Sequence, residues 1–150
     1  MWTSTQVPHR VKQYLGVLLP QQPLDIRVIA PDVGGGFGAK GMVSEEEIIV
    51  AQLARLVDRP VRWTESRTEN LAGYVHGRAQ NQRVTMGGSR DGRITSYRLE
   101  VIQDCGAFPK WGPFLPEFTR QMATGVYDIA DVELSARSVA TTTAPVWAYR

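Results

Sequence analysis

Between Pro31 and Gly41 the chain reads Pro31-Asp32-Val33-Gly34-Gly35-Gly36-Phe37-Gly38-Ala39-Lys40-Gly41, placing five glycines in the eight residues from Gly34. Within a helix or strand each glycine costs roughly 0.5–1 kcal/mol relative to alanine, so this segment is a loop. Such a loop lets the backbone approach a ligand closely and turns several N–H donors toward it. The bland alternative is a tight turn that binds nothing. What flanks the loop sets the fold class. Upstream, Leu24-Asp25-Ile26-Arg27-Val28-Ile29 alternates apolar and polar residues and is rich in β-branched side chains, which predicts a strand. Downstream, Ser44 and Glu47 have the spacing of a capping box, Glu45 and Glu46 complement a helix dipole, and Glu45, Glu46 and Glu47 together are expected to be a solvated first turn. Ile49, Leu53, Leu56 and Val57 then fall on one face of a helix that must stop before Pro60.

The rest of the chain is α+β. Gln6 to Gly16 carries Pro8 in a first turn and Val7, Val11, Tyr14 and Leu15 at helical spacing, with Gly16 placed to close the helix as a left-handed cap. Val61–Thr64 is β-like. Gln80–Met86 and Arg93–Gln103 read as an antiparallel hairpin, with Asp91-Gly92 supplying the positive φ of its turn. Glu117–Thr124 is a weak helical turn and Val132–Thr142 a last strand. The pattern predicts a mixed sheet with an antiparallel β-ribbon and two or three helices. The chain stops in aromatic residues, at Trp147-Ala148-Tyr149-Arg150, without a closing element, which predicts that 1–150 is a fragment of a longer subunit.

Composition removes several functions. Seventeen basic against 15 acidic residues leave a formal charge of +2, too weak and too scattered to argue for nucleic acid. Apolar runs span only a few residues, such as Val17–Leu19, far short of the ~20 residues of a membrane span. The first residues lack the basic and apolar regions of a secretory signal, so a cytoplasmic location is expected. One cysteine, Cys105, forbids an internal disulfide and is expected to be a buried apolar side chain; His9 and His76 make no zinc-type spacing. Any metal this chain handles must arrive already ligated. His76 is expected to be structural.

Two phosphate-binding uses of the loop are testable on spacing. A Walker loop needs Gly-Lys-Ser/Thr, but Ala39 precedes Lys40 and Gly41 follows it. Gly36-Phe37-Gly38-Ala39-Lys40-Gly41 does satisfy G-x-G-x-x-G, so a domain binding NAD or FAD through Gly36, Gly38 and Gly41 is an alternative. Against it stand the long turn before the motif, the helix cap delayed to Ser44, and a β-ribbon where further βα units belong.

Gly34-Gly35-Gly36-Phe37-Gly38-Ala39-Lys40 resembles the GGGFGGK loop of the large subunit of molybdenum hydroxylases, the group of xanthine dehydrogenase, aldehyde oxidase and aerobic carbon monoxide dehydrogenase, and is nearest to the carbon monoxide dehydrogenase-like members. Gln6, within Ser4-Thr5-Gln6, stands where that family has its glutamine. Arg59-Pro60-Val61-Arg62-Trp63, Glu69-Asn70-Leu71, His76-Gly77-Arg78, Asp91-Gly92-Arg93-Ile94, Gly106-Ala107-Phe108, Gly125-Val126-Tyr127 and Ala148-Tyr149-Arg150 follow in the family's order. The family's large subunit is several times longer, so the chain resembles the N-terminal part of its cofactor-binding region.

The resemblance implies a molybdenum–molybdopterin cofactor in its cytosine dinucleotide form, held by the dithiolene of the pterin. It implies oxidation of a small molecule (an aldehyde, an N-heterocycle or carbon monoxide) with oxygen from water, and electron transfer to iron–sulfur clusters and FAD on an iron–sulfur subunit and an FAD subunit. Gln6 would donate its amide to an oxo ligand of the metal, with the backbone of Gly35, Gly36, Phe37 and Gly38 close by; Arg150 would fork to pterin or substrate acceptors. Lys40 would either bind a phosphate of the pterin nucleotide or be an exposed lysine. Gly41 stands where purine-oxidising relatives place a glutamate, which disfavours purines. No catalytic residue and no protein metal ligand is expected in 1–150, since the family's glutamate base lies elsewhere; the isolated chain is expected to be inactive. A folded, non-catalytic fragment with an empty loop is the remaining alternative.

Overall fold

The structure, a computed structural model, describes residues 1–19 and 25–147. The chain divides into two compact units, residues 1–70 and 71–149. The α+β class and the mixed sheet expected from the sequence are both present.

In the first unit, α1 (Pro8–Leu18) begins with proline at its first position, where the missing N–H costs nothing. Val11, Leu15 and Leu19 form a buried stripe, and Met1, Ile26, Val28, Val43, Ile48 and Ala51 pack against it. Gly16 does not cap this helix. It lies inside α1, which ends only when the Leu19 N–H reaches the Leu15 carbonyl, immediately before Pro20 forbids continuation. The strand expected at Leu24–Ile29 does not form over the described residues 25–29. Instead Ile29 makes one parallel bridge with Trp2, through Thr3 N to Ile29 O (3.0 Å) and Ile29 N to Met1 O (2.9 Å). The partner segment turns away toward α1 after a few residues, so no ladder propagates.

The second helix, α2 (Glu45–Val57), starts with the full capping box on Ser44 and Glu47 and ends with Asp58 in the left-handed conformation, before Pro60. The predicted apolar face is not the one that packs. Ile49, Leu53, Leu56 and Val57 are exposed, while Ile48 and Ala51 meet the α1 stripe. Apolar residues occupy two sides of this helix, and the side toward α1 carries Ile48 and Ala51; the adjacent Glu47 is buried and bonds Thr3. Residues 61–64 form no strand. A short helix, α3 (Arg67–Gly73), follows at the division between the units.

The second unit is a three-stranded sheet in the order β1 (Gln80–Gly88), β2 (Ile94–Asp104), β3 (Asp131–Val139). β1 and β2 are antiparallel, with Val84 opposite Leu99, and Gly92 provides a φ of +88° in the turn. β2 and β3 are parallel, with Leu99 beside Leu134; such pairing needs a crossover, supplied by a 3-10 turn at Gly112–Phe114 and α4 (Leu115–Met122). Alternation puts Leu99, Val101, Gln103 and then Cys105 on one buried face of β2. The buried Gln103 carboxamide accepts from Gln80 Nε2 (2.8 Å), which also donates to Thr119 on α4 (3.0 Å).

Candidate functional site

Four of the five residues from Gly34 to Gly38 lie in the left-handed region: Gly34 (φ +71°), Gly35 (+90°), Phe37 (+49°) and Gly38 (+91°). For Phe37 this conformation costs about 1–3 kcal/mol and must be imposed by its surroundings. Gly36 is needed for a different reason. A Cβ there would stand 2.5 Å from Gln6 Oε1 and 2.8 Å from Gln6 Cδ, so the Gln6 side chain occupies the space that any other residue would fill. Two overlapping turns, Ala39 N to Gly36 O (2.9 Å) and Gly41 N to Gly38 O (3.0 Å), fold the loop back before α2 begins.

Four consecutive residues, Thr3 to Gln6, lace onto this loop and its helix. Thr3 Oγ1 donates to Glu47 Oε1 (2.6 Å), whose other oxygen accepts from the Ser44 amide (3.0 Å). Ser4 Oγ accepts from Lys40 Nζ (2.8 Å), and the same ammonium donates to the Val33 carbonyl (2.8 Å). Thr5 Oγ1 donates to Lys40 O (3.4 Å) and accepts from the Val7 amide (3.1 Å). Gln6 N donates to Lys40 O (2.9 Å), and Gln6 Oε1 accepts from the Gly38 amide (3.1 Å).

That last bond fixes the carboxamide. A backbone N–H can only donate, so its partner is the oxygen, and Nε2 is left as the outward donor. Among the described residues Nε2 has no acceptor, and neither the Gly35 nor the Gly36 amide has one. Gln6, Gly35, Gly36, Phe37 and Gly38 are thus brought together, with Phe37 62% exposed. Arg150 lies outside the described residues.

The other residues singled out in the sequence have local partners. Glu45 is exposed, but Glu47 is not solvated as expected: it is 7% exposed and joins Thr3 to the capping box. Lys40 braces two chain segments. His76 pairs its backbone with Pro145 O (2.9 Å) and Trp147 N (2.8 Å), and its Nε2 lies 3.1 Å from Leu71 O. Cys105 is buried and free, and burial pushes its thiol pKa up. Arg120 forks onto Glu117 (2.8 and 2.7 Å), pulling that carboxyl down to about 2. Among the described residues no three His, Cys, Asp or Glu side chains cluster as a metal site, and no helix is long and apolar enough to cross a membrane.

The sequence reading missed Thr3, Ser4 and Val33. The unbroken polar run Thr3-Ser4-Thr5-Gln6 is a signal, but nothing in it names partners 32 to 44 residues away. The dinucleotide alternative loses its geometry. α2 starts at Glu45, past the motif, and its own Glu47 and Ser44 already satisfy amides that a pyrophosphate would use.

Comparison with known proteins identifies the family. A family model described as the molybdopterin cofactor-binding domain matches residues 1–150. The large subunit of nicotine 6-hydroxylase from Paenarthrobacter nicotinovorans is 34% identical over 159 residues, covering 100% of this chain and 19% of that protein. The carbon monoxide dehydrogenase large chain of Afipia carboxidovorans is 30% identical over 147 residues, covering 94% of this chain and 18% of that one. Among solved structures, quinoline 2-oxidoreductase from Pseudomonas putida 86 superposes with a TM-score of 0.92 at 35% identity, over 99% of this chain and 19% of the other. The chain spans about a fifth of the length of these relatives.

Proposed function

This chain belongs to the molybdopterin cofactor-binding domain family, and from that premise we propose that it is the part of a molybdenum hydroxylase large subunit that presents Gln6 and the Gly35–Gly38 backbone to the metal's ligand sphere. The observation that carries the proposal is the Gln6 carboxamide, clamped through Oε1 on the Gly38 amide at 3.1 Å with Nε2 turned outward. The residues fit such a group: one oriented side-chain donor and the Gly35 and Gly36 amides stand beside a non-glycine residue held in a left-handed conformation. Strain of that kind collects at functional sites.

When bound, the cofactor supplies a centre that takes two electrons from a small molecule while oxygen from water is transferred to it. This chain's contribution is electrostatic. Gln6 Nε2 and the loop amides are neutral dipoles already held in place, so they would hold an anionic group of the cofactor without reorganising. Arg150, proposed on its motif, supplies a guanidinium fork to pterin or substrate acceptors. The cofactor is proposed in its cytosine dinucleotide form. The proposed partners are the remainder of the large subunit, an iron–sulfur subunit and an FAD subunit, in the cytoplasm.

An N-heterocycle is the substrate class to assay first, ahead of aldehydes and carbon monoxide, because nicotine 6-hydroxylase and quinoline 2-oxidoreductase both take such rings and stand at 34% and 35% identity. Metal and pterin analysis of the full-length protein tests the reading. Molybdenum with a pterin nucleotide in near-equal amounts is expected; stoichiometric NAD without molybdenum, or neither ligand on folded protein, would overturn it.

A further inference from the structure

The lysine that closes the glycine loop invites assignment as a phosphate ligand, yet both ends of Lys40 are spent inside the chain. Its ammonium donates to Ser4 Oγ and Val33 O, each at 2.8 Å, and its carbonyl accepts from the Gln6 amide at 2.9 Å and from Thr5 Oγ1 at 3.4 Å. Val33 precedes the run of left-handed residues and Lys40 follows it, so the Lys40–Val33 bond closes the loop across its base. The bond to Ser4 pins that closed loop to the segment carrying Gln6. With the loop end and the Gln6 backbone both held by one residue, the Gln6 carboxamide has a short, defined path to the Gly38 amide.

We propose that Lys40 is a positioning residue, which sets the direction of the Gln6 amide by bracing Val33, Ser4 and the Gln6 backbone together. This deepens the proposed function, on which its relation to the metal rests, but the brace is a property of the chain itself. A charged donor to neutral acceptors makes a bond roughly twice as strong as a neutral pair, which suits a residue holding a strained loop. Arginine cannot substitute freely: a planar fork on a longer stem does not place one compact donor group between a hydroxyl and a carbonyl on the same path.

The test uses the full-length protein and the variants Lys40→Met and Ser4→Ala. Ser4→Ala removes a single acceptor and keeps the experiment decisive if Lys40→Met does not fold. The first readout is hydrogen–deuterium exchange in peptides covering residues 34–41. About tenfold faster exchange is expected in Lys40→Met and a smaller acceleration in Ser4→Ala, with peptides from β1 and β2 unchanged. The second readout is the Mo(V) electron paramagnetic resonance spectrum of the cofactor-loaded fraction, expected to shift in both variants because the Gln6 donor moves. A merely structural lysine would lower the yield of folded protein without changing that spectrum. Unchanged exchange in the loop overturns the proposal, as does loss of pterin nucleotide from Lys40→Met with loop exchange intact, the mark of a phosphate ligand. If the wild-type protein holds no molybdenum, the proposed function fails, while the exchange experiment still decides whether Lys40 is the brace.

Discussion

In residues 71–149 the backbone does most of the holding. β2 is paired with β1 on one side and β3 on the other, and its buried face is Leu99, Val101 and Gln103, continued by Cys105 just past its end. The described part of residues 1–70 relies on a bridge at Trp2 and Ile29, the backbone bond from Gln6 to Lys40, a buried stripe of Val11, Leu15 and Leu19, and the side-chain lacing of Thr3, Ser4, Thr5, Gln6, Lys40 and Glu47. A ladder is nearly indifferent to which side chain sits at each surface position, whereas lacing depends on single polar atoms. The loop that carries the candidate site therefore belongs to the unit whose shape is set by side-chain chemistry, and it can be re-aimed without unfolding the sheet.

The sharpest way to break this contrast is in the sheet. Leu99→Ala should cost about 2–5 kcal/mol in chemical denaturation, because a fully buried side chain leaves a cavity between two strands. Gly106→Ala should be of similar size: φ is +69° there, and an added Cβ would strike the Ala144 carbonyl, which is backbone and cannot swing aside. A cost below ~1 kcal/mol for both would show that the ladder alone carries the unit.

Next in size is Glu47→Ala, which leaves the partly buried Thr3 hydroxyl and the Ser44 amide without their acceptor. A loss of about 1–3 kcal/mol is expected, with faster exchange at residues 1–6; Ser44→Ala should cost only about 1 kcal/mol, since it removes the cap and spares the Thr3 bond. Equal costs would mean that Glu47 acts on the helix alone.

Gly36→Ala is a smaller change in stability and a specific one in geometry. The atoms in the way are the far end of Gln6, so the side chain can yield, and under ~1 kcal/mol is expected. What should be lost is the Gln6–Gly38 bond, read as faster exchange at Gly38 with the sheet undisturbed.

The smallest effect concerns acid. The Gly106 amide first, then the Thr141 and Thr143 hydroxyls, hold the Asp104 carboxyl below its ordinary value of 3.8. A carboxyl whose folded pKa is depressed contributes its stability in full above the unfolded value, and that contribution is lost as pH falls through the lower, folded value. Asp104→Asn should therefore lower stability slightly at neutral pH and change little below the folded pKa, which flattens the acid limb of the stability profile. An unaltered acid limb would show that the turn does not depend on that charge.

How legible each part was follows from the range of its causes. The capping box of α2 is four residues long and was plain in the sequence; the matching Ser66 and Glu69 pair that starts α3, with Ser66 N to Glu69 Oε2 at 2.7 Å, carries the same signal and was overlooked. The hairpin was readable from alternation and Asp91-Gly92. Gly16 misled because a glycine near a helix end caps only if the chain turns there, and Pro20 set the stop instead. The strand at Leu24–Ile29 needed a long neighbour that Met1–Thr3 does not provide. On α2, periodicity showed an apolar face but not which of two faces meets α1. The loop is legible from its glycines alone and Gln6 joins it only through the family resemblance; Ser4, Val33 and Thr3 enter only with the fold, because their roles are pairings across the chain.

The most direct measurement is a crystal structure of the full-length, cofactor-loaded protein at a resolution that orients the Gln6 carboxamide. The account predicts Gln6 Oε1 on the Gly38 amide and Nε2 within about 2.7–3.2 Å of a ligand of molybdenum. A Gln6 side chain still bonded to Gly38 but far from the metal, or a loop turned away from it, would contradict the account.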